Sequence, residues 1–410
     1  MESKEIFSMA LNITPPWHIE NVEMTLNKET KTGQVDIYIN FKVGSKFKDS
    51  TGVESPVYDT IKKTWQHSNF FEHKCYIHAR VPRISTSLNK VETVQVPWAR
   101  SGSGFTLMFE AYSMLLIESE MPVKRASKII KIHDTRLWRI FNYWVSKARL
   151  MDNQSNLSNL GIDETSVRKG HNYVTLAVDM DKRRVVYVTP GKDAQTLANL
   201  KDYLESKNCK NEQIKNICMD MSPAFIAGKL ENFPNAEITF DKFHIMKIIN
   251  EAMDSVRKYE RKQHIELKGY KYLFLRNKNK LTKSEMDTKS YFLNLYEDLG
   301  DAYRLKELFN DLWEFSSVDE AGGYLAYWCD LVEESKIQPF IGVVHTIKSH
   351  WSGVVNFFQS RLNNGILEGI NAKIQLAKKR ARGFRNIDNF INMIYFIAGK
   401  LKFDYPLYLA

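Results

Sequence analysis

Cysteine is scarce in this chain. Its 410 residues hold four, at Cys75, Cys209, Cys218 and Cys329, and none belongs to a C-x-x-C pair. Such usage argues against a disulfide-stapled scaffold and fits free buried thiols in a reducing cytoplasm. No apolar run reaches the ~18 residues of a membrane-crossing helix. The opening MESKEIFSMALNITPPW lacks the basic stretch and apolar segment of an export signal. The chain is therefore expected to be soluble, unexported and cytoplasmic, with no membrane partner. Disorder is not expected either, because 43% of the residues are hydrophobic and 12% aromatic, enough for a sizeable core. The length suits two or three domains.

Acid is the scarcer charge. Lys and Arg number 58 against 48 Asp and Glu, a net charge of +10, which points to a polyanionic partner such as nucleic acid. The location of the excess says more than the sum. Val123 to Arg149 carries eight Lys/Arg and one acid, Asp134; Glu368 to Arg385 carries six and one acid, Glu368 itself. Both blocks are predicted to be helical, as a duplex-binding protein requires.

Residues 1–104 alternate apolar and polar residues in short runs such as VDIYINFKV and KCYIHARV, the pattern of a small β-rich module. His73, Cys75 and His78 lie close together in it, which invites a zinc reading. A zinc site needs four ligands, and strand alternation puts Cys75 and His78 on opposite faces. A plain strand is favoured, and zinc is not expected. Residues 105–150 read as three helices, with Asp134 as the N-cap of the third. Leu137, Ile140, Phe141 and Trp144 form the core stripe of that helix and leave Arg136 and Arg139 outward. With Lys124 and Arg125 on the second helix, the pattern suits a helix-turn-helix docking in the major groove. An ordinary three-helix unit with a basic face is the alternative.

From residue 155 to 250 the rhythm is three strands at hairpin spacing, a helix capped by Asp193, a buried strand, a helix, and a strand running into a helix. That is the order of a mixed five-stranded sheet of the RNase H-like kind. Residues 251–345 show helical periodicity and no clear strand, as a helical insertion would. Residues 346–410 are expected to return to the core. The fold class expected is thus multidomain α/β.

Three carboxylates stand where structure has little use for them. Asp163 follows the apolar Leu160-Gly161-Ile162 inside a strand, and Asp220 ends the buried Ile217-Cys218-Met219. A buried ion pair is the plain alternative for Asp163. Glu368 lies in NNGILEGINAKI, between Gly365 and Gly369, with no base three or four residues away. On its helix Ile370, Ile374, Ala377 and Ala381 are expected to face the sheet. Glu368, Asn371, Gln375, Lys379 and Arg382 should then form a polar face for metal and phosphate. Asp241 and His244 in FDKFH, together with Asn371, are second candidates, with Asp241 read first as a helix N-cap. Glu164 is expected to point away from Asp163.

The blocks GIDETSVRKGHNYVTLAVD, CMDMSPAFIAG, ITFDKFHIMKIIN and NNGILEGINAKIQLAKKRARGFRNIDNFINMIYFIAGKL resemble transposases of the ISL-three insertion-sequence family. HDTRLWRI and VPWARSGSGFT resemble that family's helix-turn-helix region, so the likeness runs over nearly the whole chain. It implies a bacterial DDE enzyme in which Asp163, Asp220 and Glu368 hold two Mg²⁺ or Mn²⁺ ions. They would cut the ends of an element and join them to target DNA. It further implies a nucleoid-associated protein that binds terminal inverted repeats and target duplex as a homodimer or higher. Lys373, Lys378, Lys379, Arg380, Arg382 and Arg385 would follow the DNA backbone. Two departures stand out. The family's N-terminal zinc cysteines are missing, the corresponding stretches being DSTGVES and ISTSLNKVE. Asn364 and Gln375 also occupy offsets where another DDE group carries Arg and Lys. A non-catalytic DNA-binding regulator, or a nuclease that cuts without joining, are the rival readings.

Overall fold

The computed structural model describes residues 3–29, 32–86, 90–168, 172–276, 280–362 and 364–405. Asn363, the 169–171 part of the GIDET block, 277–279 of NKNKLTK and 87–89 of ISTSLNKVE lie outside them. The chain forms two compact units. One runs up to Leu150 and includes the segment from Lys402 onward; the other runs from Met151 to Leu401.

The first unit opens with α1 (Ser3–Ala10) and continues into a six-stranded sheet. Its strands are β1 (Trp17–Leu26), β2 (Gly33–Phe41), β3 (Lys46–Lys48), β4 (Glu54–Phe70), β5 (His73–Ser85) and β6 (Val91–Thr93). The order is β1-β2-β5-β4-β3, with β6 on β5. Period-two alternation sends Ile37, Ile39, Ile77, Ala79 and Val81 to one face, where Trp17, Trp65 and Trp98 meet edge to face. Cys75 lies in this core, while His73 Nδ1 accepts from the Gly33 amide and His78 points to the other face. The three candidate zinc ligands are thus used separately.

Three helices follow: α2 (Leu107–Glu118), α3 (Val123–Ile129) and α4 (Asp134–Met151). Thr106 caps α2 by accepting from the Phe109 amide, and its hydroxyl also meets His67 Nδ1 at 2.8 Å. Glu110 is wholly buried and accepts from Arg100 Nε, Ser103 Oγ and Trp144 Nε1 at 2.6–2.9 Å. This carboxylate ties α2 to α4 and to the loop before them. Leu137, Ile140, Phe141 and Trp144 are buried as expected. Asp134 is the first residue of α4 rather than its cap; the Thr135 amide donates to the His133 ring one residue earlier.

The second unit is built on a mixed sheet of five strands: β7 (Asn159–Arg168), β8 (Asn172–Asp179), β9 (Arg184–Pro190), β10 (Asn216–Met219) and β11 (Glu237–Phe240). Its order is β11-β10-β7-β8-β9, with β7, β8 and β9 an antiparallel meander. β10 runs parallel to both β7 and β11. The crossovers are α5 (Gln195–Ser206), whose Leu197, Leu200 and Leu204 are buried, and α6 (Pro223–Asn232). Asp193 accepts from the Thr196 amide at the start of α5. α7 (Lys242–Gln263) leaves β11 and begins a helical stretch containing α8 (Lys271–Leu275), α9 (Lys283–Leu295), α10 (Glu297–Asp311), α11 (Val318–Ser335) and α12 (Gln338–Ser349). A second large core gathers there around Phe274, Phe309, Trp328 and Phe340.

The chain comes back to the sheet through α13 (Trp351–Val355) and α14 (Phe357–Ser360). Gly353 permits the approach, since a Cβ there would lie 2.4 Å from the Phe240 ring. Asn356 Nδ2 then donates to the Ile238 carbonyl of β11 at 3.0 Å. α15 (Gly365–Arg380) packs on β7, and α16 (Ile387–Ala398) packs on β9. Among the described residues no helix is long and apolar enough to cross a membrane.

Candidate active site

Three neighbouring parallel strands bring aspartates to one level: Asp163 lies within β7, and Asp220 and Asp241 directly follow the last residues of β10 and β11. Gly161 pairs with Cys218, and Met219 with Phe240. Two residues beyond the first pair and one beyond the second, Asp163, Asp220 and Asp241 fall in a row across β7, β10 and β11. This is the crevice beyond the carboxyl ends of parallel strands, where open α/β sheets bind ligands. Asp220 Oδ1 accepts from the Ser222 amide at 3.0 Å and so turns the chain into α6. Asp241 is buried and caps α7 through the Phe243 amide, the plainer role expected of it. Its second oxygen meets His244 Nδ1 at 2.8 Å.

Burial pushes the Asp163 carboxyl above the usual carboxylate range, and the charges of Asp241 and Asp220 act in the same direction. Against them stand the bond from the Glu164 amide and the charge of His244. The hydrogen bond to Asp241 raises the His244 pKa above the ordinary imidazole value, in spite of burial. Glu164 is half-buried, and burial raises its carboxyl too, with Asp220 and Asp163 contributing against Lys192.

Among the described residues no Lys or Arg forms an ion pair with Asp163. Its partner is an amide: Asn371 Nδ2 donates to Asp163 Oδ2 at 2.7 Å across 208 residues of chain. α15 runs alongside β7 in the same direction. Leu367 lies over Gly161, Asn371 over Asp163, and Gln375 Nε2 on Thr165 Oγ1 at 2.8 Å. Four residues of helix rise ~6 Å and two of strand ~6.8 Å, so an i, i+4 series on α15 keeps step with every second residue of β7. The expected facing of this helix is therefore corrected. Ile370 and Ile374 are buried as expected, but Asn371 and Gln375 share that inward side. Asn371 Oδ1 is buried with no hydrogen-bond partner.

The remaining candidates divide by exposure. Glu368 lies in the first turn of α15 with its side chain in solvent. Among the described residues no three His, Cys, Asp or Glu side chains gather in a group able to hold a metal. Lys378 is turned inward, its Nζ 2.7 Å from the Ser166 carbonyl, and burial lowers its pKa. Lys373, Lys379, Arg380, Arg382 and Arg385 are exposed, as are Lys124, Arg125, Arg136 and Arg139 in the other unit. The Arg136 guanidinium stacks over the Phe105 ring at 4.3 Å. Sequence reasoning named Glu164 and Asn364 but gave neither a place at the site; Asn364 Oδ1 lies 3.5 Å from Cys218 Sγ. The signal for the inward face was the series of polar side chains at 364, 371, 375 and 378.

A three-helix unit ahead of a mixed sheet that brings aspartates to one level is an arrangement consistent with a DNA-acting protein of the transposase class. The sequence matches a family model described as "Transposase", the DDE domain of type ISL3, over residues 160–394. A second, described as "Helix-turn-helix domain of transposase family ISL3", matches residues 94–145. The chain belongs to the ISL3 family of transposases. It is similar to the transposase for insertion sequence element IS1557 of Mycobacterium tuberculosis, 25% identical over 79% of either chain. It is also similar to the transposase for insertion sequence element IS1001 of Bordetella parapertussis, 28% identical over 58% of this chain and 60% of that one. Membership implies divalent-metal use.

Proposed function

We propose that the protein is an active DDE transposase, which binds the ends of an insertion sequence, cleaves there and transfers the freed strand to target DNA. The observation that carries this reading is the row Asp163, Asp220, Asp241 on adjacent parallel strands, with Asn371 on Asp163. The strand order, a meander followed by two parallel strands, supports an RNase H-like core over 155–250 and 346–410. That core would be interrupted by the helical insertion 251–345 and preceded by the 1–104 module and the 105–150 helix-turn-helix. Joining two ends calls for a homodimer or higher assembly on DNA.

Asp163 and Asp220 are hard oxygen donors of the kind a divalent cation takes, and among the described residues no third acid gathers with them. Asp163 is raised by burial and by its acidic neighbours, and the unpartnered Asn371 Oδ1 is a further hard oxygen beside it. Asp163 and Asp220 would hold the ions, with Glu368 as the third carboxylate. Such ions, when bound, offset charge on the phosphate and supply a nucleophilic water near neutral pH. The protein's own groups do the rest. Asn371 fixes the Asp163 carboxylate, and Asp241 fixes the His244 ring, leaving Nε2 to hold a proton at the edge of the crevice. The exposed Lys373, Lys379, Arg380, Arg382 and Arg385 would track the DNA backbone, and Arg136 and Arg139 would dock the helix-turn-helix. No side-chain nucleophile is required.

The test is cleavage of duplex carrying the element's ends, with Mg²⁺ or Mn²⁺, followed on sequencing gels. Asp163→Asn, Asp220→Asn and Glu368→Gln should each abolish cleavage and leave end binding intact. Cleavage retained in any one removes that residue from the set. Cutting without joining in a strand-transfer assay would mark a nuclease, and binding without cutting a regulator.

A further inference from the structure

The N-terminal sheet has a second face, which none of the preceding roles uses. Register places its outward side chains in rows. Glu23, Asp36, Tyr76 and Gln66 make the first; Asn21, Tyr38, His78 and Thr64 the second; the pairs His18 with Asn40 and Arg80 with Lys62 follow beyond them. At the centre Tyr38 stacks on His78, with ring centroids 5.0 Å apart and planes 22° from parallel, and Tyr76 leans on His78 at 6.5 Å. The His78 ring is locked at both nitrogens, Nε2 to Asp36 Oδ1 at 2.8 Å and Nδ1 to Thr64 Oγ1 at 2.9 Å. Two cross-strand bonds and a stack thus hold an aromatic platform in place.

Charge is graded across this face. Lys62, Lys74 and Arg80 are exposed on β4 and β5, whereas the exposed acids Glu20 and Glu23 sit on β1. Asp36, between them, is buried and engaged by His78. A polyanion is therefore drawn over β4 and β5, one strand away from the Tyr38–His78 stack on one side and beside it on the other. The half-exposed edge of this stack and the neighbouring Tyr76 ring offer aromatic surface to unpaired bases, whereas a duplex hides its base faces within its own stack.

We propose that this face binds single-stranded DNA, phosphates over Lys62, Lys74 and Arg80 and unpaired bases on Tyr38, His78 and Tyr76. The inference does not depend on the cleavage reading. The full-length protein is titrated with fluorescent oligothymidylate and with a duplex of unrelated sequence. Tyr38→Ala combined with Tyr76→Ala should weaken oligothymidylate binding roughly tenfold and leave duplex binding within about twofold, while Tyr38→Phe stays at wild-type affinity. In the wild-type protein, an oligonucleotide bearing 5-iododeoxyuridine should photo-crosslink to Tyr38, Tyr76 or His78. The proposal is overturned by crosslinks that avoid these residues, by unchanged oligothymidylate binding, or by equal loss of duplex binding. Stronger binding of oligouridylate or of an acidic peptide would overturn the assignment to DNA.

Discussion

Asn371 does two opposed things at once: its amide nitrogen satisfies Asp163, and its oxygen is left buried without a partner. Replacing it by Leu preserves helix propensity and shape but removes the donor, so Asp163 keeps its burial and loses its restraint. Cleavage by Asn371→Leu should fall roughly 10–100-fold, with end binding unchanged, as gel-based rates and mobility shifts would show. A separate residue sets a pH dependence of stability. Burial lowers His67 from 6.5 to about 4. Between those values the unfolded chain holds a proton that the folded chain does not, so stability declines as pH falls through that window. Thermal unfolding from pH 7 to 4.5 should reveal a loss of about 2–3 kcal/mol, which His67→Gln reduces. At this scale the acids Asp163 and Asp220 were legible because Asp is costly at the end of an apolar strand. The partner of Asp163 was not legible. Wheel reasoning sends amides to solvent, and nothing local says that a strand carboxylate waits for one.

The pairing of α15 with β7 depends on an absent side chain. A Cβ at Gly161 would lie 2.5 Å from Met180 Sδ and 2.8 Å from Leu367 Cδ1. Gly161→Ala is accommodated by two flexible side chains; Gly161→Val is not, and pushes the helix off the strand. We expect Gly161→Val to cost about 1–3 kcal/mol in urea unfolding and to lower cleavage along with it, since Asn371 moves away from Asp163. The strand and helix order from β7 to α7 was readable in the sequence, because apolar runs alternate with amphipathic ones between turn residues. Helix ends were less so. At α4 a histidine ring takes the capping part expected of Asp134, and the choice turns on a rotamer that spacing does not encode.

For the molecule as a whole, the cationic excess is divided between exposed arginines of α4 and the exposed run at the end of α15. Removing Arg136 and Arg139 together should weaken duplex binding and reduce the salt slope by roughly 2, at about 0.9 per lost phosphate contact. If affinity and slope both stay put across a salt titration, α4 is not the docking element. The change from strand to helix periodicity near residue 105, and back near residue 155, was readable in the sequence, and β1–β6, α2–α4 and β7–β9 follow it. Which face of the N-terminal sheet carries a platform was not, because it depends on register among three strands distant in sequence.

The separation of Asp163 from Asn371 also has a meaning in time. Chains are made at roughly 5–20 residues per second, so 208 residues put roughly 10–40 s between the two at the ribosome. The three-helix unit and the five strands are complete before α15 exists. A growing or truncated chain that stops short of Gly365 carries the three-helix unit proposed to dock on DNA but lacks Glu368, Asn371 and the basic run at the end of α15. On the proposed reading, the helices that dock on an end are synthesised first and the residues that cut it last, so a copy that ends between α4 and α15 keeps part of the grip and none of the cutting.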